Sequence, residues 1–123
     1  MTAYCATQLL PTGSHTRGEI TLDGTNILAA SEKTMCALRG NDISMVFQEP
    51  TTALNPVQTI GKQVAETILI HEPGTSKADA MERATEALKR VELPNNQFPL
   101  SRLPHEMSGG QRQRVVIAMA IAL

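Results

Sequence analysis

Ser108-Gly109-Gly110-Gln111 stands directly before an apolar stretch of helical length, and these residue types in this order suit the binding of an anion. The first N–H groups of a helix have no intrahelical acceptor and the helix dipole is positive there, so a phosphate is a natural partner. Two glycines remove the side chains that would hold it away from the backbone. The same four residues also suit a plainer task, a glycine-softened loop leading into a core helix capped by Ser108 and Gln111 in an S-x-x-Q box. A second candidate is Gln48, which closes the apolar run Ile43-Ser44-Met45-Val46-Phe47. Its position at the end of such a run is informative, whereas the identity of a lone glutamine is not. A glutamine at a strand end can equally bond its own loop. The other polar residues offer less. His15, His71 and His105 lie far apart with no ligand spacing, and Arg112 and Arg114 suit a solvated or salt-bridged helix face better than a phosphate or RNA contact. Glu82, Arg83, Glu86, Lys89 and Arg90 fit a charged face of i,i+4 pairs.

The pattern of the chain supplies elements to position these groups. Residues 1–10 read as the end of a helix stopped by Pro11, and residues 18–24 alternate polar with apolar side chains and close on Asp23-Gly24, which predicts a hairpin strand. Residues 31–39 fit a short helix closed by Gly40. Residues 43–48, between Asp42 and Pro50, read as a buried, parallel-type strand, and ligands collect beyond the carboxyl ends of such strands, where Gln48 stands. Two prolines make residues 49–56 an ordered loop. Two amphipathic helices follow. Residues 59–71 carry Ile60, Val64 and Ile68 on one face, and residues 76–93 carry Met81, Ala84, Leu88 and Val91. Ser76 with Asp79 resembles a capping box and Pro94 marks the end. Pro94, Pro99 and Pro104 exclude another long helix before Ser108, whereas residues 115–121 are apolar around most of a helix, as expected for burial. Strand patterns followed by a wholly helical middle imply an α/β core with a helical subdomain inserted from about Val57 to Pro104.

Composition narrows the function classes. The 123 residues, 41% of them hydrophobic, fill one domain or part of one rather than two. Eleven basic against twelve acidic residues leave a net charge of -1, so no global field draws the chain to nucleic acid or an anionic membrane. With 2% aromatic content and no Trp there is little to stack single-stranded bases upon. Cys5 and Cys36 fit no CxxC or metal spacing and read as reduced thiols in a cytosolic setting. Residues 1–10 lack the basic region of a signal peptide, and the longest apolar run, 115–123, is well short of the roughly 20 residues that span a bilayer.

The wider strings carry a resemblance. Pro104-His105-Glu106-Met107-Ser108-Gly109-Gly110-Gln111-Arg112-Gln113-Arg114 closely resembles the signature motif of ABC-type ATPases, with Met107 where that family usually has Leu, a change of similar volume. Met45-Val46-Phe47-Gln48-Glu49-Pro50-Thr51-Thr52-Ala53-Leu54-Asn55-Pro56 resembles the Q-loop of the family's oligopeptide and dipeptide importers. Gly18-Glu19-Ile20 and Leu22-Asp23-Gly24 resemble its antiparallel β-subdomain, and Leu38-Arg39-Gly40 the lead-in to the Q-loop strand. The resemblance implies an α/β fold, a partial P-loop NTPase core of ABC type with an antiparallel β piece and an inserted helical subdomain. The implied division is 1–56 for the partial core, β-subdomain and Q-loop, 57–107 for the helical subdomain and 108–123 for the signature motif and the start of its helix. It further implies ATP and Mg²⁺ as cofactors of the intact domain. Ser108, Gly109, Gly110 and Gln111 would then bind nucleotide, and Gln48 would take a catalytic and metal-contacting role beside Mg²⁺ and the attacking water. Glu49, Leu54, Asn55 and Pro56 would form a loop that couples to transmembrane permease subunits. Two intact ATP-binding subunits, alike or different, would sandwich two ATP molecules at the cytoplasmic face of the membrane, each signature facing the other copy's P-loop, to drive import of peptides or similar small solutes.

No G-x-x-x-x-G-K-[ST] string occurs in the chain. Met1-Thr2-Ala3 corresponds in the family to residues directly after that motif, and the Walker B strand would follow Leu123, so the sequence reads as an internal fragment. These residues alone are expected not to hydrolyse ATP, because phosphoryl transfer depends on charge stabilisation by the Walker groups. Two other readings stay open, a piece of a soluble DNA-maintenance ATPase sharing the signature helix, and a non-catalytic module that occupies the transmembrane partner. The importer-like loop at 49–56 counts against the first.

Overall fold

The computed structural model describes residues 2–48 and 52–123, which divide into the units Met1–Met45 and Val46–Leu123. In the first unit, Asp23 and Gly24 take left-handed φ values of 46° and 82° and turn the chain between β1 (Thr21–Leu22) and β2 (Thr25–Asn26). The strands pair antiparallel, Thr21 opposite Asn26 and Leu22 opposite Thr25, as a two-residue Asp-Gly hairpin requires. Residues Thr2–Ala6 form α1, and α2 (Glu32–Leu38) starts at Ser31, whose Oγ accepts from the Thr34 amide at 3.2 Å. Gly40, at φ 80°, follows its end. Among the described residues only Ile27 and Met35 supply large buried side chains here, and polar groups tie the pieces. Gln8 Nε2 donates to the carbonyls of Ile27 and Ala30 at 2.6 and 3.1 Å, and Arg39 Nε donates to that of Thr7 at 2.9 Å. The Arg39 guanidinium also bonds Glu32 at 2.7 Å and holds that carboxyl below its usual range.

The strand expected at 43–48 does not form. A single parallel bridge joins Arg39 to Ile43, residues 44–47 take no regular structure, and Phe47 is 47% exposed. A central parallel strand takes backbone hydrogen bonds from neighbours on both sides. Among the described residues the paired strands are β1 and β2 alone, two residues each, so this apolar run has no ladder to join.

The second unit is helical, with α3 (Ile60–His71), α4 (Lys77–Arg90), a 3₁₀ turn at Pro104–Glu106 and α5 (Gly109–Ile121). The face read for α3 is the one buried, whereas on α4 Ala84 and Leu88 are buried as read, Met81 and Val91 are only partly so, and Ala80 and Ala87 take the inner places. Ile60, Val64 and Ile68 of α3 join Ala80, Ala84, Ala87 and Leu88 of α4 and Val115 and Ala118 of α5 in one core, completed by Leu54, Leu93, Met107 and Ala122. Alanines along α4 let its neighbours approach closely, and large residues between them fill the space. Within α5, however, only Val115 and Ala118 are buried and the rest of the apolar run is half-buried. Two packed neighbours, α3 and α4, cover a stripe of that helix and not its circumference.

Helix α4 ends three residues before the expected Leu93. Glu92 takes φ 63°, its amide bonds the Lys89 carbonyl at 3.0 Å, and the Leu93 amide bonds back to the Leu88 carbonyl at 2.9 Å. This is a Schellman closure, with Leu93 returned to the core and a glutamate where glycine is usual. At the other end of the bundle Arg83 donates to both carboxylate oxygens of Glu72, at 2.6 and 2.9 Å, and to the Ala122 carbonyl at 3.1 Å, so one guanidinium joins the C-cap residues of α3 and α5. The same contact holds the Glu72 carboxyl below its usual range.

Helix α3 begins without a side-chain cap, since Thr59 makes no capping hydrogen bond. Its first amides are satisfied from the proline-rich loop, Ile60 N–H donating to the Arg102 carbonyl at 2.9 Å and Gly61 N–H to the Leu100 carbonyl at 3.0 Å. That approach requires glycine, because a Cβ at Gly61 would lie 2.6 Å from Leu100 Cβ. Gly61→Ala is therefore expected to lower stability by about 1–3 kcal/mol, although alanine is the better helix former. Gly74→Ala, where a Cβ meets nothing within 4 Å, is expected to be near neutral. Urea unfolding midpoints of the two variants check this, and equal midpoints would show that Leu100 yields freely.

Candidate functional site

The turn at Ser108 is held from both sides. Behind it the Leu103 amide bonds Glu106 Oε2 at 2.6 Å across the 3₁₀ turn, Pro104 is buried, and Met107, at the signature position where leucine is usual, lies in the core at 4% exposure. Ahead of it, Ser108 Oγ accepts from the Gln111 amide at 3.2 Å while Gln111 Oε1 accepts from the Ser108 amide at 2.9 Å. This reciprocal box satisfies two amides and leaves the Ser108 carbonyl to accept the first helical bond, from Arg112 N–H at 3.0 Å. The expected cap is thus present in full.

Between these fixed points Gly109 and Gly110 are exposed, and they carry first-turn amides that have no acceptor within a helix. A Cβ on either would meet nothing within 4 Å, and neither takes a left-handed φ. Nothing in the local backbone or packing demands glycine at 109 or 110. What the two residues create is an open approach to backbone N–H groups at the positive end of α5, the arrangement that suits a phosphate. Arg114 pairs with Glu92 at 3.3 Å, whereas Arg112 Nε is buried without a hydrogen-bond partner among the described residues.

Gln48 is exposed at a bend, and Glu49 lies outside the described residues. The hydrogen bonds of Ser108 and Gln111 run within their own turn and into α5, and Gln48 takes no part in them. In the following loop Leu54 is buried in the helical core, while Asn55, Pro56 and Val57 are exposed, Val57 at 82%. Asn55 Oδ1 accepts from the Val57 amide at 3.1 Å, an Asx turn around Pro56. Two residues of this region escape the sequence reading, Val57 and Gln63. Gln63 is 6% exposed and bonds the loop through its side-chain amide. Its signal was present in the pattern, since it occupies the i+3 place of the apolar stripe Ile60, Val64, Ile68, where a polar residue must find partners. His105 is exposed and His71 Nδ1 lies 2.9 Å from the Thr67 carbonyl of its own helix. Among the described residues no three His, Cys, Asp or Glu side chains gather to hold a metal ion.

The family described as ABC transporter matches residues 5–123. The dipeptide transport ATP-binding protein DppD of Lactococcus lactis subsp. cremoris is 49% identical over 105 residues, covering 85% of this chain and 30% of its own. The probable peptide ABC transporter ATP-binding protein y4tR of Sinorhizobium fredii is 46% identical over 124 residues, covering 99% and 37%. The oligopeptide transport ATP-binding protein OppD of Bacillus subtilis is 47% identical over 113 residues, covering 92% and 31%. The chain thus spans about a third of the length of these relatives. Among solved structures, the ATP-binding cassette MJ0796, a dimer in a post-hydrolysis state bound to ADP and Pi, matches with a TM-score of 0.69 at 29% identity, covering 87% of this chain and 45% of that one.

The local geometry yields one stability series. Gly109→Ala and Gly110→Ala are each expected to raise stability by about 0.4–1 kcal/mol, because alanine fits both positions and restricts the unfolded chain. Ser108→Ala is expected to lower it by roughly 0.5–2 kcal/mol through loss of the cap. Chemical denaturation of the three variants checks the signs.

Proposed function

The chain belongs to the ABC transporter family, and from that premise we propose that it is a segment of an ATP-binding subunit that drives peptide import. One observation carries the reading, the capped start of α5 with two glycines that its own packing does not require. Bare amides at a helix N-terminus fit a triphosphate, and here they are displayed rather than packed. The names of the relatives, which specify dipeptide, oligopeptide and peptide transport, support peptides as the cargo.

In this reading Ser108, Gly109, Gly110 and Gln111 meet the phosphates of an ATP held by a second ATP-binding subunit. Ser108 and Gln111 hold the turn rigid, so the donors need no reorganisation when charge develops. Gln48 would supply one oxygen ligand toward Mg²⁺ and would orient the attacking water, as a neutral amide can. Phosphates, waters and further residues would complete the ligand set of that ion. When bound, the ion neutralises charge on the transferring phosphoryl group. The segment 49–56 is the coupling loop. Leu54 roots it in the helical core, and Asn55 and Pro56, with the adjacent Val57, form the surface offered to the permease, while Glu49 is assigned to the same role from the sequence alone. The division into 1–56, 57–107 and 108–123 follows these roles. None of the described helices is long and apolar enough to cross a membrane. A peripheral place on the cytoplasmic face, against the permease, accords with that.

Gly110→Asp separates function from fold in the full-length subunit. An acidic residue in the first turn suits the helix dipole and meets open space, yet it repels phosphate. Hydrolysis is expected to fall on the order of a hundredfold with unchanged thermal stability. In reconstituted transporter, substitutions at Asn55 and Pro56 are expected to lower transport more than basal hydrolysis. Wild-type hydrolysis by Gly110→Asp would refute the nucleotide role, and equal losses of transport and hydrolysis would move the loop into the catalytic site.

A further inference from the structure

Gln63 is the one buried polar side chain of the helical unit among the described residues, and its whole amide faces the loop at 55–58. Its Oε1 accepts from the Asn55 amide at 2.8 Å, and its Nε2 donates to the carbonyl of Asn55 at 3.0 Å and of Gln58 at 2.9 Å. Both donors and one acceptor position are thus used on backbone atoms of one loop. Asn55 is gripped at its N–H and its C=O together, as a neighbouring strand would grip it, although no strand lies there. Leu54, directly before it, is sunk in the core, and Pro56 and Val57, directly after it, are exposed. The clamp therefore sits where the loop leaves the core for the surface.

We propose that Gln63 is a positioning residue for permease coupling, fixing the presentation of Asn55, Pro56 and Val57 to the transmembrane partner through its three hydrogen bonds to the loop backbone. This rests on the reading of that loop as the coupling surface. Because the clamp stands on α3, a push on the loop is delivered to the helical bundle that carries α5, rather than absorbed by bending of the loop. A glutamine suits the task better than a glutamate, which offers no donor for the two carbonyls.

Two measurements on the full-length transporter test this, with Gln63→Met, which keeps volume but no hydrogen bond, and Gln63→Glu, which keeps only the acceptor. In hydrogen exchange, Gln63→Met is expected to speed the Asn55, Val57 and Gln58 amides roughly tenfold while residues 84–88 of α4 keep the wild-type rate. Gln63→Glu is expected to leave Asn55 closer to wild type than Val57 and Gln58. Transport per ATP hydrolysed is expected to fall in both, more in Gln63→Met, with basal hydrolysis retained. Unchanged loop exchange, or acceleration shared equally by α4, overturns the clamp and leaves Gln63 a packing residue. Faster loop exchange with wild-type coupling, in a transporter that Pro56 substitutions do uncouple, overturns the positioning role while the coupling-loop reading stands. If neither set uncouples, the loop reading fails and the proposal with it.

Discussion

The helical unit depends on how the first turn of α3 is satisfied. A helix leaves its first amides without partners, and here no side chain caps them, so the carbonyls of Leu100 and Arg102 do so. Glycine at 61 lets Leu100 come close enough. The bond to Arg102 sets the approach to the 3₁₀ turn at Pro104–Glu106, whose exit buries Met107 and delivers Ser108 to cap α5. One turn into the same helix, Gln63 holds the loop at 55–58. A single helix start thus carries both the loop that leads to the signature turn and the loop assigned to the permease. The two loops are held by separate hydrogen bonds within one turn of the same helix, so displacement of α3 would reach both the loop proposed to meet the permease and the loop leading to the turn proposed to meet nucleotide.

The far end of the bundle is tied differently. Arg83 bonds the carboxylate of Glu72 and the carbonyl of Ala122, so the ends of α3 and α5 share one cation carried by α4. The Glu72 carboxyl is partly exposed and held below its usual range by the Arg83 hydrogen bonds. A carboxyl depressed on folding contributes stability above its unfolded pKa, and that contribution is lost as pH falls through the folded value. Screening by solvent keeps the contribution modest beside the apolar core. Between these two ties, the alanines of α4 and the branched residues of α3 provide packing, and α5 keeps a half-buried apolar flank.

What was legible in the sequence were features that complete themselves locally. The Asp23-Gly24 turn, the caps at Ser76 and Ser108, and the apolar face of α3 need only near neighbours, and each forms as the pattern predicts. The run at 43–48 is apolar enough for a strand, but strands are completed by partners distant in sequence, and composition says nothing of whether those partners are paired beside it. The end of α4 was misplaced because Glu92 adopts a conformation usually left to glycine, driven by the burial of Leu93. Of the candidate site, the turn at 108–111 was legible down to its reciprocal hydrogen bonds. The burial of Leu54 was not, since whether a loop leucine points inward is decided by the fold of the loop, and Gln63 showed only as a polar residue in an apolar stripe, its partners being set by that same loop. The two glycines of the turn are the clearest case of residues that stability does not explain, each costing up to about 1 kcal/mol against alanine in a helix.

The central claim is that this turn acts on ATP held by a second ATP-binding subunit, for which another copy of the same subunit is the direct test. Sedimentation velocity of the full-length subunit and its Gly110→Asp variant, in ATP without Mg²⁺ so that hydrolysis is arrested, tests it most directly when paired with the ATP affinity of the monomer. If the turn acts across an interface, both monomers bind ATP equally and only the wild type shifts to a dimer. A variant that dimerises as the wild type does, or whose monomer has lost its affinity for ATP, would contradict the account.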